Sequence, residues 1–340
     1  MTALYIILAI IFLFLIVPMI VTAVMMRRFF GPTKTPELFR KSVDRFDGLI
    51  VEECSFTSNR GQRLAGYLYR HRDVDPVALV IIAHGLGSGQ NLYIDVADNF
   101  AANGFLVFAY DITGHDKSGG KASDGLEQGV IDLAHAIDYA RGLPEAQGLP
   151  VCLFGHSWGG YSVMNVLNVR PDIAAVISVS GFDSAAEILR VKGRDFVGRA
   201  VSLLMPYARL YQRLRFGRYA DFTAMEGFRN SSAAVMIIHS EDDTVVPIVL
   251  GYDRFYRHYG TDPRFEFIRF EDRGHSEIYH VQPYRRHMRD LRRRAKQEIE
   301  PPVSSEKVTA FYRDHLDRAI DDTLDPELFE RMRTFCLKYC

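Results

Sequence analysis

The chain has 340 residues, a formal net charge of −1 and 48% hydrophobic residues, an ordinary composition that is compatible with a single large globular domain. A charge so close to neutral gives no basis for nucleic-acid binding. The four cysteines form no CxxC pair and show no zinc-ligand spacing. We therefore expect reduced thiols, with neither a metal site nor a disulfide framework.

Residues 3–26 contain no charged side chain, and as a helix they would extend about 36 Å, enough to cross a bilayer. We predict a transmembrane helix here. A cleaved signal peptide fits less well, because no basic residue precedes the apolar run and no small-residue cleavage site follows it. A buried core helix is a third option. Since Arg27, Arg28 and Lys34 follow the run, the charge bias predicts an external N-terminus and a cytoplasmic remainder.

Residues 27–50 are predicted to form a juxtamembrane linker, in which 38–46 is either a short amphipathic helix or irregular. From residue 51 onward, buried-type strands alternate with helical stretches such as 93–103, 129–140 and 158–168. This alternation predicts an α/β domain over 51–340, with a mostly parallel sheet covered by helices on both faces. The strands are predicted at 51–56, 63–69, 77–83, 105–110, 151–154, 173–179, 233–239 and 265–270.

One interval breaks this alternation, because about fifty residues separate the strand that ends near 181 from the one that begins near 233. Its first part, 185–216, is apolar at helical spacing with arginines interleaved. We predict a small helical cap over the sheet at residues 184–230. A single long surface helix followed by a loop is the alternative.

Ser157 lies in the sequence GHSWG at 155–159, directly after a predicted strand and before a predicted helix. In this context the G-x-S-x-G pattern indicates a sharp turn that exposes a nucleophilic serine. Side chains at Gly155 and Gly159 would collide with the neighbouring strand and helix. The first amides of the following helix would face the negative charge that develops during the reaction.

A serine hydroxyl needs a base to take its proton, and that base needs an acid to orient it. His275 follows the last predicted strand and is the candidate base, while Asp243 follows the strand before it and is the candidate acid. Glu241, Asp242 and Asp183 are the rivals of Asp243. The order serine, aspartate, histidine along the chain is typical of triads whose serine lies in a G-x-S-x-G turn between a strand and a helix.

An oxyanion hole requires two backbone N–H groups near the nucleophile. The first should come from Trp158, the residue after the serine. The second should come from Leu86, in the glycine-containing loop HGLGSG at 84–89 that follows a predicted strand. A simple glycine turn is the alternative reading of that loop, and His84 is better suited to supporting it than to acting as a second base.

Together these motifs resemble the α/β-hydrolase superfamily over residues 51–340. The similarity is greatest to a bacterial branch with one N-terminal transmembrane helix and a short helical insertion, described as serine-aminopeptidase-like. The resemblance implies an eight-stranded sheet and serine-ester chemistry. Asp116 departs from the pattern, because relatives usually have glycine there, and we expect a structural effect on its loop. The resemblance rests on His84-Gly85, segment 110–118, the sharp turn around the nucleophile at 155–160 (the elbow), the loop 243–247 that carries the candidate acid, and Gly274-His275.

We expect a membrane-anchored serine hydrolase that cleaves a carboxylic ester without cofactor or metal. A lipid ester and an acyl thioester are the more specific substrates considered. The expected partners are a small-molecule or lipid ester and the bilayer, and the sequence indicates no oligomeric state. A serine aminopeptidase is the first alternative and a non-catalytic scaffold the second. An aminopeptidase would need a cap carboxylate to hold an α-amine, and the candidates are Glu187, Asp195, Asp221 and Glu226.

Residues 285–296 contain seven Lys or Arg against one acid, Asp290. A solvated helix face is the ordinary interpretation of such a run. Contact with anionic lipid headgroups is the alternative. One short basic run on a nearly neutral chain does not indicate nucleic-acid binding.

Overall fold

The computed structural model describes residues 1–317, 319 and 323–340. It begins with a long helix, here called the N-terminal helix, that consists of α1 (Thr2–Ile11), a π-helical segment (Phe12–Ile16) and α2 (Val17–Phe29). The stretch Phe12–Phe29 is long and apolar enough to cross a membrane, and the rest of the protein buries only 11% of it. By length and composition it fits a membrane span or an N-terminal signal sequence.

Eight strands form one sheet in the order β1-β2-β4-β3-β5-β6-β7-β8. Strands β3 to β8 run parallel to one another, whereas β2 is antiparallel to both β1 and β4. The predicted mostly parallel eight-stranded sheet is thereby confirmed. The strands are β1 (Leu49–Thr57), β2 (Arg63–His71), β3 (Ala78–Ala83), β4 (Phe105–Tyr110), β5 (Val151–His156), β6 (Ala175–Val179), β7 (Ala234–Ser240) and β8 (Phe265–Phe270).

The central strands are apolar throughout because the sheet is covered on both faces. In β3, Leu79 and Ile81 belong to the core on one face, and Val80 and Ile82 belong to the core on the other. Since neighbouring residues of a strand point to opposite faces, such a strand has no polar side. The remaining helices are α3 (Ile94–Ala102), α4 (Glu127–Arg141), α5 (Trp158–Asn165), α6 (Ala185–Val197), α7 (Val201–Phe216), α8 (Ala224–Asn230), α9 (Tyr252–Tyr259), α10 (Gln282–Glu298), α11 (Ser305–His315) and α12 (Pro326–Tyr339).

The interval predicted as a cap contains helices α6, α7 and α8 rather than one long helix. Helix α6 ends at Gly198, which has a φ of 59°, and this left-handed residue lets the chain turn into α7. Helix α7 packs along α2 of the N-terminal helix. The rings of Phe29 and Phe196 also meet edge to face, with centroids 4.9 Å apart. The cap therefore joins the N-terminal helix to the sheet domain.

The linker between the N-terminal helix and the sheet contains two single-turn helices, Glu37–Phe39 and Val43–Arg45, with extended backbone at Arg40 between them. The continuous amphipathic helix considered for 38–46 does not form. Asp116 fixes this linker, since its carboxylate accepts hydrogen bonds of 2.7 Å from both the amide and the hydroxyl of Thr35. The residue that departs from the family pattern thus holds the linker against the loop after β4.

Helices α10 and α11 form a small unit around a cluster of their own, which includes Met288, Leu291 and Phe311. The basic run lies on α10, and several of its arginines are already paired. Arg293 pairs with Asp290, and Arg294 pairs with Glu298. This arrangement agrees with the interpretation of the run as a solvated helix face.

All four cysteines are free. Two of them, Cys152 on β5 and the C-terminal Cys340, have their Sγ atoms 2.9 Å apart. The contact forms because α12 packs against β6 and β7, on the face of the sheet whose core also contains Cys152 of the neighbouring β5. The spacing of the cysteines in the sequence did not indicate this contact.

A buried carboxyl links the cap to the sheet domain. Glu127, the first residue of α4, is fully buried and accepts a 2.5 Å hydrogen bond from the side-chain amide of Gln212 on α7. Its Oε2 atom has no hydrogen-bond partner among the described residues. Burial raises the pKa of Glu127 to about 8, because the charged form would lose its hydration.

We expect this carboxyl to make folding stability depend on pH. Between its unfolded pKa near 4.5 and its folded pKa near 8, the folded chain holds a proton that the unfolded chain has released, so stability falls as pH rises through this window. Glu127→Gln should flatten the fall in melting temperature between pH 5 and pH 8.5. Glu145→Gln, at an exposed position, is the matched control and should leave the slope unchanged. Equal slopes for wild type and Glu127→Gln would contradict the prediction.

Candidate active site

Ser157 lies at the sharp turn between β5 and α5, with a φ of 57° that a non-glycine residue adopts only under strain. The two glycines of the motif explain how the turn can be so tight. A Cβ atom at Gly159 would lie 1.9 Å from the carbonyl oxygen of Ala83, and one at Gly155 would lie 2.3 Å from the carbonyl oxygen of Gly159. Only glycine therefore fits at either position.

The three residues predicted as a triad come together because β5, β7 and β8 are parallel and end at the same edge of the sheet. The Nε2 atom of His275 lies 2.8 Å from Oγ of Ser157. Its Nδ1 atom lies 2.7 Å from Oδ2 of Asp243. Since a carboxylate only accepts, Nδ1 carries the proton, and Nε2 is free to accept the serine hydroxyl.

Asp243 is buried, and burial alone would favour its neutral form. Hydrogen bonds from His239 and His275, and from the backbone amide of Val246, outweigh that effect and hold the pKa of Asp243 well below its usual range. Its second oxygen accepts bonds of 2.8 Å from the amides of Val245 and Val246. The carboxylate is thus charged and fixed in orientation.

The rival acids are engaged elsewhere. Asp242 accepts hydrogen bonds from Ser240 and from the amide of Gly274, which shapes the loop that carries His275. Glu241 forms an ion pair with an arginine of β8, at 2.6 Å. Asp183 binds Arg254 at 2.7 Å. Of the four candidates, Asp243 is the one that contacts the imidazole.

Both residues predicted for the oxyanion hole border the same cavity as Ser157. Trp158 is the first residue of α5, and first-turn amides of a helix have no acceptor within the helix. Its indole is buried and donates to the carbonyl of Leu126 at 2.7 Å, which fixes the start of the helix. Leu86 is followed by Gly87, whose φ of 81° turns the loop after β3.

A chain of hydrogen bonds that the sequence did not reveal supports these elements from below. Tyr93 accepts from the amide of Gly85 at 3.1 Å and lies 3.0 Å from Nδ1 of His156. Because Nε2 of His156 faces the backbone carbonyl of His275 at 2.9 Å, Nε2 must donate, and Nδ1 accepts from the tyrosine hydroxyl. Burial and, to a smaller extent, the neighbouring His275 lower the pKa of His156 to about 3, so the ring stays neutral. The oxyanion loop, the elbow and the base loop are thereby connected.

His84 is likewise a supporting residue. Its Nε2 atom accepts from the amide of Ile112 at 2.9 Å, and its Nδ1 atom donates to the carbonyl of Gly85 at 2.8 Å. Burial lowers its pKa to about 3. A neutral ring bonded at both nitrogens cannot act as a second base, in agreement with the sequence-based interpretation.

A cavity of about 550 Å³ opens above Ser157 and His275, within the size range of small-molecule sites. Its wall consists of the cap, the loops after β3 and β7, and α2 of the N-terminal helix. The lining is almost wholly apolar, and Lys192 is its one lysine or arginine among the described residues. The side chains that line it from α2 and the residue directly after it are Thr22, Met25, Met26, Phe29 and Phe30.

The four cap acids considered as amine ligands do not line this cavity, and none of the described residues that line it is acidic. Glu187 instead binds Arg254 through two hydrogen bonds, and Asp221 binds Arg213. Two of the four candidate acids are thus paired with arginines outside the cavity.

The comparisons with known proteins agree with this fold. A family model described as serine aminopeptidase, S33, matches residues 74–224, which include the oxyanion loop, the elbow and most of the cap. Among solved structures, an esterase from Pyrococcus furiosus has a TM-score of 0.57 at 17% identity, over 85% of this chain and 99% of that one. The chain therefore has the α/β-hydrolase fold, and these matches support the superfamily that its motifs indicated.

The chain is also similar in sequence to lipases that act on monoacylglycerols, by the names of these proteins. The chain is 36% identical to a monoacylglycerol lipase of Mycolicibacterium smegmatis over 110 residues, which are 32% of this chain and 38% of the relative. It is 29% identical to human monoglyceride lipase over 135 residues, which are 38% of this chain and 44% of the relative. The chain thus spans less than half the length of these two relatives.

Proposed function

We propose that this protein is a membrane-associated serine hydrolase that cleaves a carboxylic ester through an acyl-enzyme. The observation that carries the proposal is the hydrogen-bonded series of Ser157, His275 and Asp243 at the floor of an apolar cavity. A nucleophile, a base within 2.8 Å and an acid that orients the base are the parts that nucleophilic catalysis needs.

In the first half of the reaction, Nε2 of His275 takes the hydroxyl proton of Ser157 while Oγ attacks the acyl carbon. The carbonyl oxygen becomes an oxyanion, which the amides of Trp158 and Leu86 would hold. The charged carboxylate of Asp243 stabilises the imidazolium that forms. His275 then gives its proton to the leaving alcohol, and the bond from the acyl carbon to the alkoxy oxygen breaks.

In the second half, a water molecule gives a proton to Nε2 of His275 and attacks the acyl carbon of the acyl-enzyme. The same amides hold the second oxyanion. When the bond between Oγ and the acyl carbon breaks, the imidazolium returns its proton to the oxygen of Ser157, and a carboxylic acid leaves. Neither half requires a cofactor or a metal.

The lining of the cavity favours an ester over a peptide with a free α-amine. An α-ammonium group needs a carboxylate or several acceptors to replace its hydration. The described lining supplies no acidic side chain, and Lys192 would repel a cation. An ester or thioester carries no charge at the acyl end, so the apolar wall suits it. The lipase and esterase relatives support the same choice.

The N-terminal helix supports the membrane association, because its stretch Phe12–Phe29 is long and apolar enough to cross a bilayer and only 11% of it is buried. The bilayer would then be a partner, with the catalytic domain on the cytoplasmic side, because Arg27 and Arg28 lie in the last turn of the span. Adding reporter tags to either terminus and testing their protection from protease in sealed vesicles would determine the side.

A fluorophosphonate probe tests the enzyme directly, since it forms a covalent bond only with an activated serine. We expect labelling of the wild type and none of Ser157→Ala. A folded wild type that remains unlabelled would instead support the scaffold interpretation. For the bond type, kcat/KM should be higher with p-nitrophenyl esters than with aminoacyl anilides, and the opposite order would favour the aminopeptidase.

A further inference from the structure

The N-terminal helix lines the cavity as well as carrying the apolar stretch. Four side chains of its α2 segment, together with Phe30 directly after it, border the same space as Ser157 and His275. Two of them, Met26 and Phe30, are buried and belong to the main core of the sheet domain. A helix that served only as an anchor would need no such contacts.

The end of the helix is also fixed to the catalytic domain. The carbonyl of Phe30 accepts hydrogen bonds from the amide of Ser123 at 3.0 Å and from its hydroxyl at 3.2 Å. On the cap side, Phe196 packs against Phe29. The helix therefore holds a fixed position relative to the nucleophile, as a wall of a binding site must.

The cap reaches far along this helix. The hydroxyl of Tyr207 on α7 donates to the carbonyl of Phe14, at 2.5 Å. Phe14 lies within the stretch Phe12–Phe29, which is long and apolar enough to cross a bilayer. If the helix crosses the bilayer, part of the stretch that contacts the cap lies in the hydrocarbon region as well.

The outer surface of the cap has the composition that such a position requires. Leu203 and Leu214 on α7 are about three-quarters exposed, and Phe196 on α6 is nearly two-thirds exposed while also bordering the cavity. Exposed apolar side chains of this size on neighbouring helices mark a contact with another apolar phase. Of the three, Phe196 adjoins the N-terminal helix through its contact with Phe29.

We propose that the N-terminal helix is the outer wall of the acyl site, and that the substrate is a long-chain acyl ester that reaches Ser157 from the bilayer, between this helix and the cap. The inference rests on the proposed ester hydrolysis and adds the substrate class and its route. It makes Met25 a specificity-determining residue, because this half-buried side chain lines the cavity from the helix.

The test compares two neighbouring substitutions in the full-length protein, reconstituted in phosphatidylcholine vesicles. Met25→Trp would shorten the cavity, whereas Val24→Trp lies on an exposed position outside its lining. We expect Met25→Trp to lower kcat/KM for p-nitrophenyl palmitate at least about tenfold more than kcat/KM for the butyrate ester. Val24→Trp should leave both values near wild type.

An unchanged ratio of palmitate to butyrate in Met25→Trp would overturn the inference. The proposed function is tested separately, since butyrate cleavage that disappears in Ser157→Ala establishes ester hydrolysis whatever the ratio does. If Met25→Trp does not fold, Met25→Ala enlarges the same space and should shift the ratio toward longer chains. Failure of that shift would overturn the inference equally.

The route from the bilayer has its own readout. Leu203→Glu places a charge on the outer surface of the cap and leaves the cavity lining untouched. We expect it to slow cleavage of palmitate ester held in vesicles, with no effect on the soluble butyrate ester or on palmitate in detergent micelles. Equal rates for this variant and wild type with vesicles would overturn the route.

Discussion

Asp243→Asn should lower kcat/KM for ester substrates by about 10⁴-fold while the fold persists. An amide can donate a hydrogen bond to Nδ1 of His275, and this stabilises the tautomer whose proton lies on Nε2. That tautomer cannot accept the proton of Ser157, which is 2.8 Å away. The substitution also removes the negative charge that stabilises the imidazolium, so both contributions to catalysis are lost together.

The matched control is Asp242→Asn, at the neighbouring position. Asp242 is exposed, and the one oxygen through which it holds Ser240 and Gly274 has a counterpart in asparagine. We expect its kcat/KM to remain within about threefold of wild type, as for most surface substitutions. Steady-state kinetics on p-nitrophenyl butyrate measures both variants. A larger loss in Asp242→Asn than in Asp243→Asn would contradict the assignment of Asp243 as the acid of the triad.

The sheet could be predicted because each central strand is covered on both faces. Strands such as β3 and β4 are uninterrupted apolar runs, and their predicted positions differ from the observed ones by a residue or less at each end. The candidate triad could be named for a related reason. Parallel strands end at one edge of the sheet, so residues that follow β5, β7 and β8 must lie close together, whatever their separation in the chain.

The hydrogen bonds beneath the site could not be predicted in this way. Tyr93 contacts His156 across a sequence separation of 63 residues, and no spacing rule connects them. The position of His156 within the elbow motif marked a turn but not a partner. Only the packing of α3 against the sheet brings the tyrosine to the histidine.

The N-terminal helix illustrates a second limit. Its composition favoured a bilayer over a protein core but could not identify which part of the protein the helix also contacts. That contact depends on the cap, which was predicted at 184–230 without positions for its individual helices. The contact between Tyr207 and Phe14, and with it the wall of the cavity, follows from the arrangement of α7 along α2.

Gly159→Ala should destabilise the protein more than any surface substitution, because the added Cβ atom would lie 1.9 Å from the backbone carbonyl oxygen of Ala83. Ala83 is the last residue of the central strand β3, which is hydrogen-bonded to strands on both sides, so it cannot move aside. We expect a loss of at least about 3 kcal/mol, at the upper end of the range for overpacked cores. At roughly 2 °C per kcal/mol for a domain of this size, the melting temperature should fall by about 6 °C or more.

Gly142→Ala provides the control, since Gly142 ends α4 with a φ of −77° that alanine adopts freely. Its nearest obstacle is the carbonyl oxygen of Tyr139 at 3.3 Å, so we expect a change within about 1 kcal/mol in either direction. Thermal unfolding of both variants in the same detergent gives the comparison. A melting temperature for Gly159→Ala equal to that of Gly142→Ala would mean that α5 can withdraw from β3, and the strained turn at Ser157 would then not depend on glycine.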